Sequence, residues 1–343
     1  MKRKKKLQVE VVELTGSAYD IGVKQGIALK SDEKWKYQKQ LKTKGDTEEA
    51  RKQIERMSPS LLEEIEGMAI GMEININTAI QWYGGHDTQM PSMGCTTLAN
   101  DSFYVRNYDF SDEFYDARLV LTNPDNGYAR IGFSQQVIGR LDGMNEKGLI
   151  IGLHFVNEAV SQKGFLPTTI CRLVLEQCTS MDEAVSLIKQ IPHQYCFNFS
   201  IMDKEGNNVI VEASPEKQIV RKSAQLICTN HFESEQLIGN NRAFIDGSLN
   251  RKNYLETLEK EKLSPASAYD LFNNEESPLF FKNYKEYFGT LHTVIYCPKD
   301  LNVVVGIGGN CDSYTLSFRK WLTGQGRLPH ILEGEIGSGS FTF

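Results

Sequence analysis

The chain has no cysteine pair spaced as CxxC, and its seven cysteines (Cys95, Cys171, Cys178, Cys196, Cys228, Cys297 and Cys311) are odd in number. That pattern suggests neither a disulfide framework nor a zinc cluster. No apolar run approaches the roughly 20 residues needed to span a bilayer. After the basic start MKRKKK comes LQVEVVEL, which alternates and carries two glutamates, so it reads as a strand over 7–14 rather than the apolar core of a secretory signal. A cytoplasmic protein without membrane contact is expected. A net charge of −6 argues against a nucleic-acid-binding surface across the whole protein. The six-residue basic tip reads as a solvated, disordered end. GIGGN (Gly306–Asn310) lacks the GK[ST] of a phosphate loop, and HFE (His231–Glu233) is not followed by the PCxxC of a zinc deaminase. No metal and no cofactor is expected.

What is there suits one large globular domain with a smaller segment attached: 343 residues, 40% hydrophobic and 24% charged. Gly16 and Gly22 bracket a turn, and residues 18–30 look helical. Residues 30–57 are highly charged and fit either an exposed helix or a connection. Ser58 and Pro59 then suit the N-cap and first position of a helix, with Leu61, Leu62, Ile65, Met68 and Ala69 as its apolar stripe. A short helix is expected over 77–86. The character changes at Cys95. CTTLA, FYVRNYDF, RLVLTN, YARIGF and LIIGLHF are strand-like runs with turn residues between them, NEKG (Asn145–Gly148) among these. Two helices over 167–191 follow, joined at Met181–Asp182. The strands NFSIMD, NVIVEA, QIVRK and QLICTN come next, then a helix over 248–273, and finally LHTVIYC and LNVVVGI. Strands, helices and strands in that order predict layered α and β with largely antiparallel sheets.

Cys95 stands after Gly94 and before two threonines and a strand. Free cysteine is among the most buried residue types, so a structural thiol is the plain reading. A nucleophilic cysteine needs a base. None of the six histidines sits in a protease signature. The other available base is the residue's own α-amino group, freed by cutting the preceding bond, with a pKa of about 7.7–8.0. Glycine at position 94 would allow a tight or strained backbone at that bond and leave room for the attack.

Several segments agree in order with one enzyme group. They are GSAYDIGVKQG (Gly16–Gly26), GCTT (Gly94–Thr97), RNYD (Arg106–Asp109), DGMNEKGLIIGLHF (Asp142–Phe155), CTNHF (Cys228–Phe232) and LNRKNYLETL (Leu249–Leu258). In these the chain resembles the N-terminal-nucleophile (Ntn) hydrolases that cleave linear amides: bile salt hydrolases, penicillin V acylases, acid ceramidase-like amidases, and the branch of acyl-CoA:6-aminopenicillanic acid acyltransferase. The resemblance implies an α+β fold, the four-layer αββα sandwich, with a mostly helical pro-segment over 1–94 and a catalytic domain over 95–343. It implies self-cleavage between Gly94 and Cys95. Cys95 would be the nucleophile and, through its new amine, the base. Arg106 would favour the thiolate. Asp109 would hold the amine. Asn230 and the backbone N–H of His154 would form the oxyanion hole. Arg251 would balance charge near Asp109. Without the resemblance, Arg106 and Asp109 read as strand charges and Asn230 as a turn residue. His154 departs from the asparagine of bile salt hydrolases and the tyrosine of penicillin V acylases at that position.

The function so implied is an autoprocessing amidohydrolase that cleaves a small N-acyl substrate through a thioester. The pro-segment is expected to stay bound, because the apolar helix near residue 61 needs a partner. The sequence allows a homo-oligomer without specifying one. Alternatives are an acyltransferase in which an amine displaces water, a non-catalytic binding protein on the same fold, and a thiol–histidine peptidase.

Overall fold

The computed structural model describes residues 4–30, 46–222, 225–258, 263–286 and 288–337. Residues 1–3 of the basic tip and 31–45 of the charged stretch lie outside them. In chain order the first elements are β1 (Lys4–Gly16), α1 (Ala18–Lys30), α2 (Thr47–Met57), α3 (Pro59–Met72) and α4 (Ile76–Tyr83). Next come β2 (Gly94–Ala99), β3 (Tyr104–Phe110), β4 (Arg118–Pro124), β5 (Arg130–Gln135), the two-residue β6 (Gly139–Arg140), β7 (Asp142–Asn145) and β8 (Ile150–Asn157). Helices α5 (Pro167–Gln177) and α6 (Met181–Gln190) precede β9 (Cys196–Met202), β10 (Asn208–Ala213), β11 (Gln218–Arg221) and β12 (Leu226–Cys228). After α7 (Asp246–Thr257) and α8 (Pro265–Asn273) come β13 (Lys282–Asn283), β14 (Phe288–Cys297), β15 (Asn302–Ile307), β16 (Tyr314–Ser317), α9 (Phe318–Leu322) and β17 (Ile331–Gly337).

The strands form two sheets. One runs β11-β10-β9-β8-β7-β5-β4-β1-β17, with β6 on β5, and the other β12-β2-β3-β14-β15-β16, with β13 on β14. Every pairing is antiparallel except β1 with β4. Alternation along the strands sets the order of layers. On β3, Tyr104 and Arg106 reach across to Ser200 and Asp142 of the first sheet. Their neighbour Asn107 donates the other way, to the carbonyls of Phe272 and Leu279. On β7, Asp142 faces Arg106, whereas Asn145 donates to the carbonyls of Leu175 and Cys178 at the end of α5. α5 therefore packs on the outer face of the first sheet and α8 on that of the second. Phe103, Val105, Leu255, Phe272 and Ile295 fill the gap beneath α7 and α8.

The N-terminal residues are built into this body. β1 lies between β4 and the last strand, β17, so its backbone is bonded on both edges. From Lys4 onward the basic tip is strand: Lys4 pairs with Glu335, Lys6 with Glu333, and Lys5 with Asp112. The tip is ordered because β17 supplies acidic partners that local sequence does not reveal. Helices α1 and α3 cross backbone to backbone. A Cβ on Gly22 would stand 2.0 Å from the Glu64 carbonyl oxygen, and one on Gly67 would stand 2.1 Å from that of Tyr19. Ser58 caps α3 through the Leu61 N–H with Pro59 in the first turn, as its sequence predicts. The expected stripe of Leu61, Leu62, Ile65, Met68 and Ala69 is buried.

Two further expectations change. The helix over 248–273 is two helices, because Ser264 and Ser267 form a reciprocal cap and Pro265 starts α8. LNVVVGI does not end the fold, since β16, α9 and β17 follow it.

Beneath α3 lies a buried charge cluster. Arg172 of α5 binds Glu64 of α3 at 2.7 Å and Glu176 at 3.1 Å, and Arg130 lies 3.4 Å from Glu176. Burial alone would raise the Glu176 carboxyl, but Arg172 and Arg130 outweigh it and hold it at about 2, against 4.5 when free. A carboxyl lowered on folding stabilises above its unfolded pKa, and that stability is lost as pH falls toward the folded value. Between pH 5 and pH 3 wild-type protein should lose about 2 kcal/mol through this group. Urea unfolding at the two pH values should show a loss smaller by that amount in Glu176→Gln, and an equally steep decline in the variant would contradict the assignment.

Candidate active site

β2 and β3 lie side by side, with Gly94 opposite Asp109, Cys95 opposite Tyr108 and Thr97 opposite Arg106. Cys95 and Arg106 thus share the face turned to the first sheet. The Arg106 Nη2 donates to Cys95 Sγ and to the Leu153 carbonyl, each at 2.9 Å, and Nη1 donates to Asp142. Asp142 also accepts from the Tyr296 hydroxyl at 2.6 Å. None of these three charged or thiol groups is exposed. Burial would raise the Asp142 carboxyl; Arg106 outweighs it, with help from His292 and Tyr296, and holds it below the usual range. Burial pushes the Cys95 thiol up to about 12, although Arg106 pulls the other way. In the continuous chain the sulfur is therefore a thiol, and a guanidinium alone does not ionise it.

The backbone of Cys95 is held from the other side. Asn230 follows β12, and its neighbours Thr229 and His231 give their carbonyls to the Asn198 side chain. Its own N–H donates to Ser248 of α7 at 2.7 Å. So fixed, the Asn230 Oδ1 accepts from the Cys95 N–H at 3.0 Å and from Arg251 Nη2 at 2.9 Å. The two donors on Oδ1 settle which end of the amide is which, and Nδ2 donates to the Phe155 carbonyl. Arg251 Nη1 also donates to the Cys95 carbonyl at 3.0 Å and lies 3.5 Å from Asp109 Oδ2.

Asp109 is fully buried. Its Oδ1 accepts from Thr290 at 2.6 Å, but Oδ2 has no hydrogen bond among the described residues. Burial raises its pKa, with Arg251 and Thr290 opposing. A buried carboxylate oxygen without a donor is costly, and its persistence asks for a reason. Gly94 stands beside it. A Cβ there would lie 2.5 Å from the Phe288 ring and 3.0 Å from Asp109 Oδ2. Gly94 is not among the residues with positive φ, so the glycine answers a need for space rather than an unusual dihedral.

The structure thus brings Cys95, Arg106, Asp109, Asn230 and Arg251 together. His154 is fully buried, and its Nε2 is 2.8 Å from Ser200 Oγ. Its ring lies beside the Cys95 backbone, and burial, with Arg106 and Arg251 nearby, keeps the imidazole neutral. Leu153 gives its N–H to Leu141, so strand alternation directs the His154 N–H toward β9, where His154 pairs with Asn198. Sequence reasoning gave no role to Asp142, Thr290, Tyr296 or Ser248. Asp142 sits inside the quoted DGMNEKGL segment, which was the available signal; the others are single polar residues of ordinary strands and helices.

Residues 96–311 match the profile of the acyl-coenzyme A:6-aminopenicillanic acid acyl-transferase family. The chain belongs to that family. The match starts one residue after Cys95 and takes in Arg106, Asp109, Asn230 and Arg251. Membership makes the chain an enzyme of an acyl-transfer family. Among solved structures, a conjugated bile acid hydrolase from Clostridium perfringens superposes with a TM-score of 0.48 at 16% identity, over 66% of this chain and 93% of its own. Penicillin V acylase from Agrobacterium tumefaciens gives 0.39 at 15%, over 66% and 86%. The Caenorhabditis elegans ortholog of N-acylethanolamine-hydrolyzing acid amidase gives 0.40 at 13%, over 60% and 93%. These scores are below 0.5, and the assignment rests on the sequence match. No curated protein sequence matches the chain. Among the described residues, no helix is long and apolar enough to cross a membrane.

Removing the Arg106 cation would strand the buried Asp142 charge. Arg106→Leu should cost about 3–5 kcal/mol. Adding Asp142→Leu to it should return part of that loss. Urea midpoints of the two singles and the double test this, and fully additive losses would refute the coupling.

Proposed function

We propose that this enzyme cuts its own chain between Gly94 and Cys95 and then uses Cys95 to cleave a linear, non-peptide N-acyl amide. The observation that carries the reading is Asp109 Oδ2 beside Gly94, ion-paired with Arg251 at 3.5 Å but without a hydrogen-bond donor among the described residues. It is a place for an ammonium that the continuous chain does not yet possess.

In self-cleavage the Cys95 sulfur attacks the Gly94 carbonyl carbon, and the C–N bond to Cys95 breaks. The acyl group moves to sulfur, and the thiol proton ends on the freed nitrogen. Water then hydrolyses that thioester, leaving a Gly94 carboxylate and a free Cys95 thiol. The new α-amine keeps the donation of the Cys95 nitrogen to Asn230 Oδ1 and adds one to Asp109 Oδ2. With a pKa near about 8 it takes the thiol proton, which the buried thiol does not release unaided. The thiolate, beside Arg106, attacks the substrate carbonyl. The second hydrogen of Asn230 Nδ2, beyond the one held by Phe155, serves the oxyanion. The His154 N–H points into the sheet and would join only after a local shift. The ammonium returns its proton to the departing amine. Water activated by the amine then releases the acid.

The family's acyl-transferase name favours a second reading, in which an acceptor amine attacks the thioester in place of water. Product analysis with added amine separates the two. The 94-residue and 343 − 94 = 249-residue chains should stay together after the cut, since β1 is a strand of the first sheet and Glu64 is bound to Arg172.

Intact-mass measurement should find wild-type protein in two chains and Cys95→Ala in one. Gly94→Ala should be cut more slowly, because its Cβ meets Phe288 and Asp109. Wild-type protein that stays whole while releasing amine from N-acyl substrates would overturn the α-amine as base.

A further inference from the structure

Tyr108 stands directly opposite Cys95 on the neighbouring strand, and on its other side it stands opposite His292 of β14. Cys95, Tyr108 and His292 therefore form one row across β2, β3 and β14. The row faces the first sheet, since His292 Nε2 lies 3.9 Å from Asp142 of that sheet. Side chains directly opposite each other on paired strands are neighbours. The Arg106 guanidinium that donates to the Cys95 sulfur lies 5.4 Å from the centre of the Tyr108 ring. His292, Phe110 and Tyr115 pack on that ring at 5.4, 5.7 and 5.9 Å between centres.

Tyr108 is fully buried, yet its hydroxyl has no hydrogen-bond partner among the described residues. The polar groups around it are engaged with others. His292 Nδ1 is 2.7 Å from the Tyr115 hydroxyl, and Arg106 serves Cys95, Leu153 and Asp142. Burial pushes the Tyr108 phenol well above its usual range, reinforced by charge at the Cys95 sulfur and opposed by Arg106. The hydroxyl therefore keeps its proton and is a donor without an acceptor. Burying such a group is costly, and phenylalanine would fill the same space without that cost.

Length decides what this donor can reach. Cysteine ends one atom beyond Cβ, whereas tyrosine carries its hydroxyl on the far side of a ring. From adjacent positions on one face, the hydroxyl stands deeper between the sheets than the sulfur does. The atoms that come to lie there during reaction are those bonded to the sulfur, the acyl carbon and its oxygen. One donor for that oxygen, Asn230 Nδ2, comes from beyond β12 on one side of β2, and Tyr108 comes from β3 on the other.

We propose that Tyr108 is a catalytic residue whose hydroxyl donates to the acyl oxygen of the tetrahedral intermediate, as a second donor beside Asn230. This rests on the reading of Cys95 as nucleophile. The sulfur–carbon bond forms as the carbonyl π pair moves onto oxygen. Tyr108 and Asn230 share that charge through hydrogen bonds and keep their protons. When the pair returns, the carbon–nitrogen bond breaks and the ammonium of Cys95 supplies the proton of the departing amine.

The test compares purified wild-type protein with Tyr108→Phe, which keeps the ring and removes the hydroxyl. Hexanoyl-p-nitroanilide reports amide cleavage. p-Nitrophenyl hexanoate reports acylation of Cys95 without an amine leaving group. Hexanal adds reversibly to the sulfur and holds its oxygen where the oxyanion forms. In Tyr108→Phe, kcat for the anilide should fall about 100-fold with KM little changed. Acylation by the ester should slow, and hexanal should bind roughly 10- to 100-fold more weakly, whereas 1-hexanol, which forms no bond to sulfur, should bind equally. Because the hydroxyl has no partner to lose, the thermal midpoint of Tyr108→Phe should equal or exceed that of wild type. Equal kcat and equal hexanal affinity in the two proteins would overturn the proposal. A higher pH midpoint for iodoacetamide alkylation of Cys95 in Tyr108→Phe would also overturn it, by placing the hydroxyl on the thiolate. If Tyr108→Phe stays in one chain, a ring-fluorinated tyrosine at position 108 decides. It is a stronger donor of nearly the same shape, so hexanal should bind more tightly, and equal or weaker binding refutes the role. A wild type that spares the anilide but reacts with the ester and hexanal contradicts the amidase reading alone, and those two probes then decide Tyr108. A wild type inert to all three removes both.

Discussion

A single guanidinium with no contact with water, Arg106, joins the two sheets at Cys95. It comes from β3 of one sheet, and its charge is answered by Asp142 on β7 of the other. Moving a guanidinium and a carboxylate out of water is expensive, and their attraction compensates only when the remaining donors and acceptors are filled. Here the Leu153 carbonyl, the Cys95 sulfur and the Tyr296 hydroxyl fill most of them. The pair thus fixes the spacing of the sheets where the thiol sits. The cation beside the sulfur does not overcome burial, so the thiol remains protonated until a base arrives. In this account the base is made by breaking the chain, and Asp109 Oδ2 is the acceptor left open for it.

The same economy explains why the first 94 residues need not be lost when the bond is cut. β1 is flanked by β4 and β17, and removing it would expose the edges of both. Glu64 of α3 meets Arg172 of α5 out of water, and the glycine crossing of α1 and α3 leaves no room for rearrangement. What cleavage can free is the short run 90–93, where Met90, Pro91 and Met93 lie against Phe110 and Phe114.

Much of this was legible in the sequence where local pattern and burial agree. CTTLA, FYVRNYDF and LIIGLHF are strands in which apolar, β-branched and aromatic residues dominate, and the Ser58–Pro59 start of α3 is a local signal. β17 was not legible: ILEGEIG has two glycines and alternating acids, and it is a strand because β1 offers lysines across the ladder. Arg106, Asp109, Asn230 and Arg251 were singled out through ordered motifs, since their partners are far apart in sequence. Asp142 and Thr290 escaped because their role is to answer another buried group, which only three-dimensional contact reveals. Gly94 was singled out for backbone freedom and for room; its φ is not positive, and the crowding by Phe288 and Asp109 bears on room.

The most direct measurement is a crystal structure of the purified, active enzyme at a resolution that defines the Gly94–Cys95 link. The account predicts a broken link, with the Cys95 nitrogen within about 3 Å of Asp109 Oδ2. A continuous Gly94–Cys95 peptide in active enzyme, with Asp109 Oδ2 still lacking a donor, would contradict it.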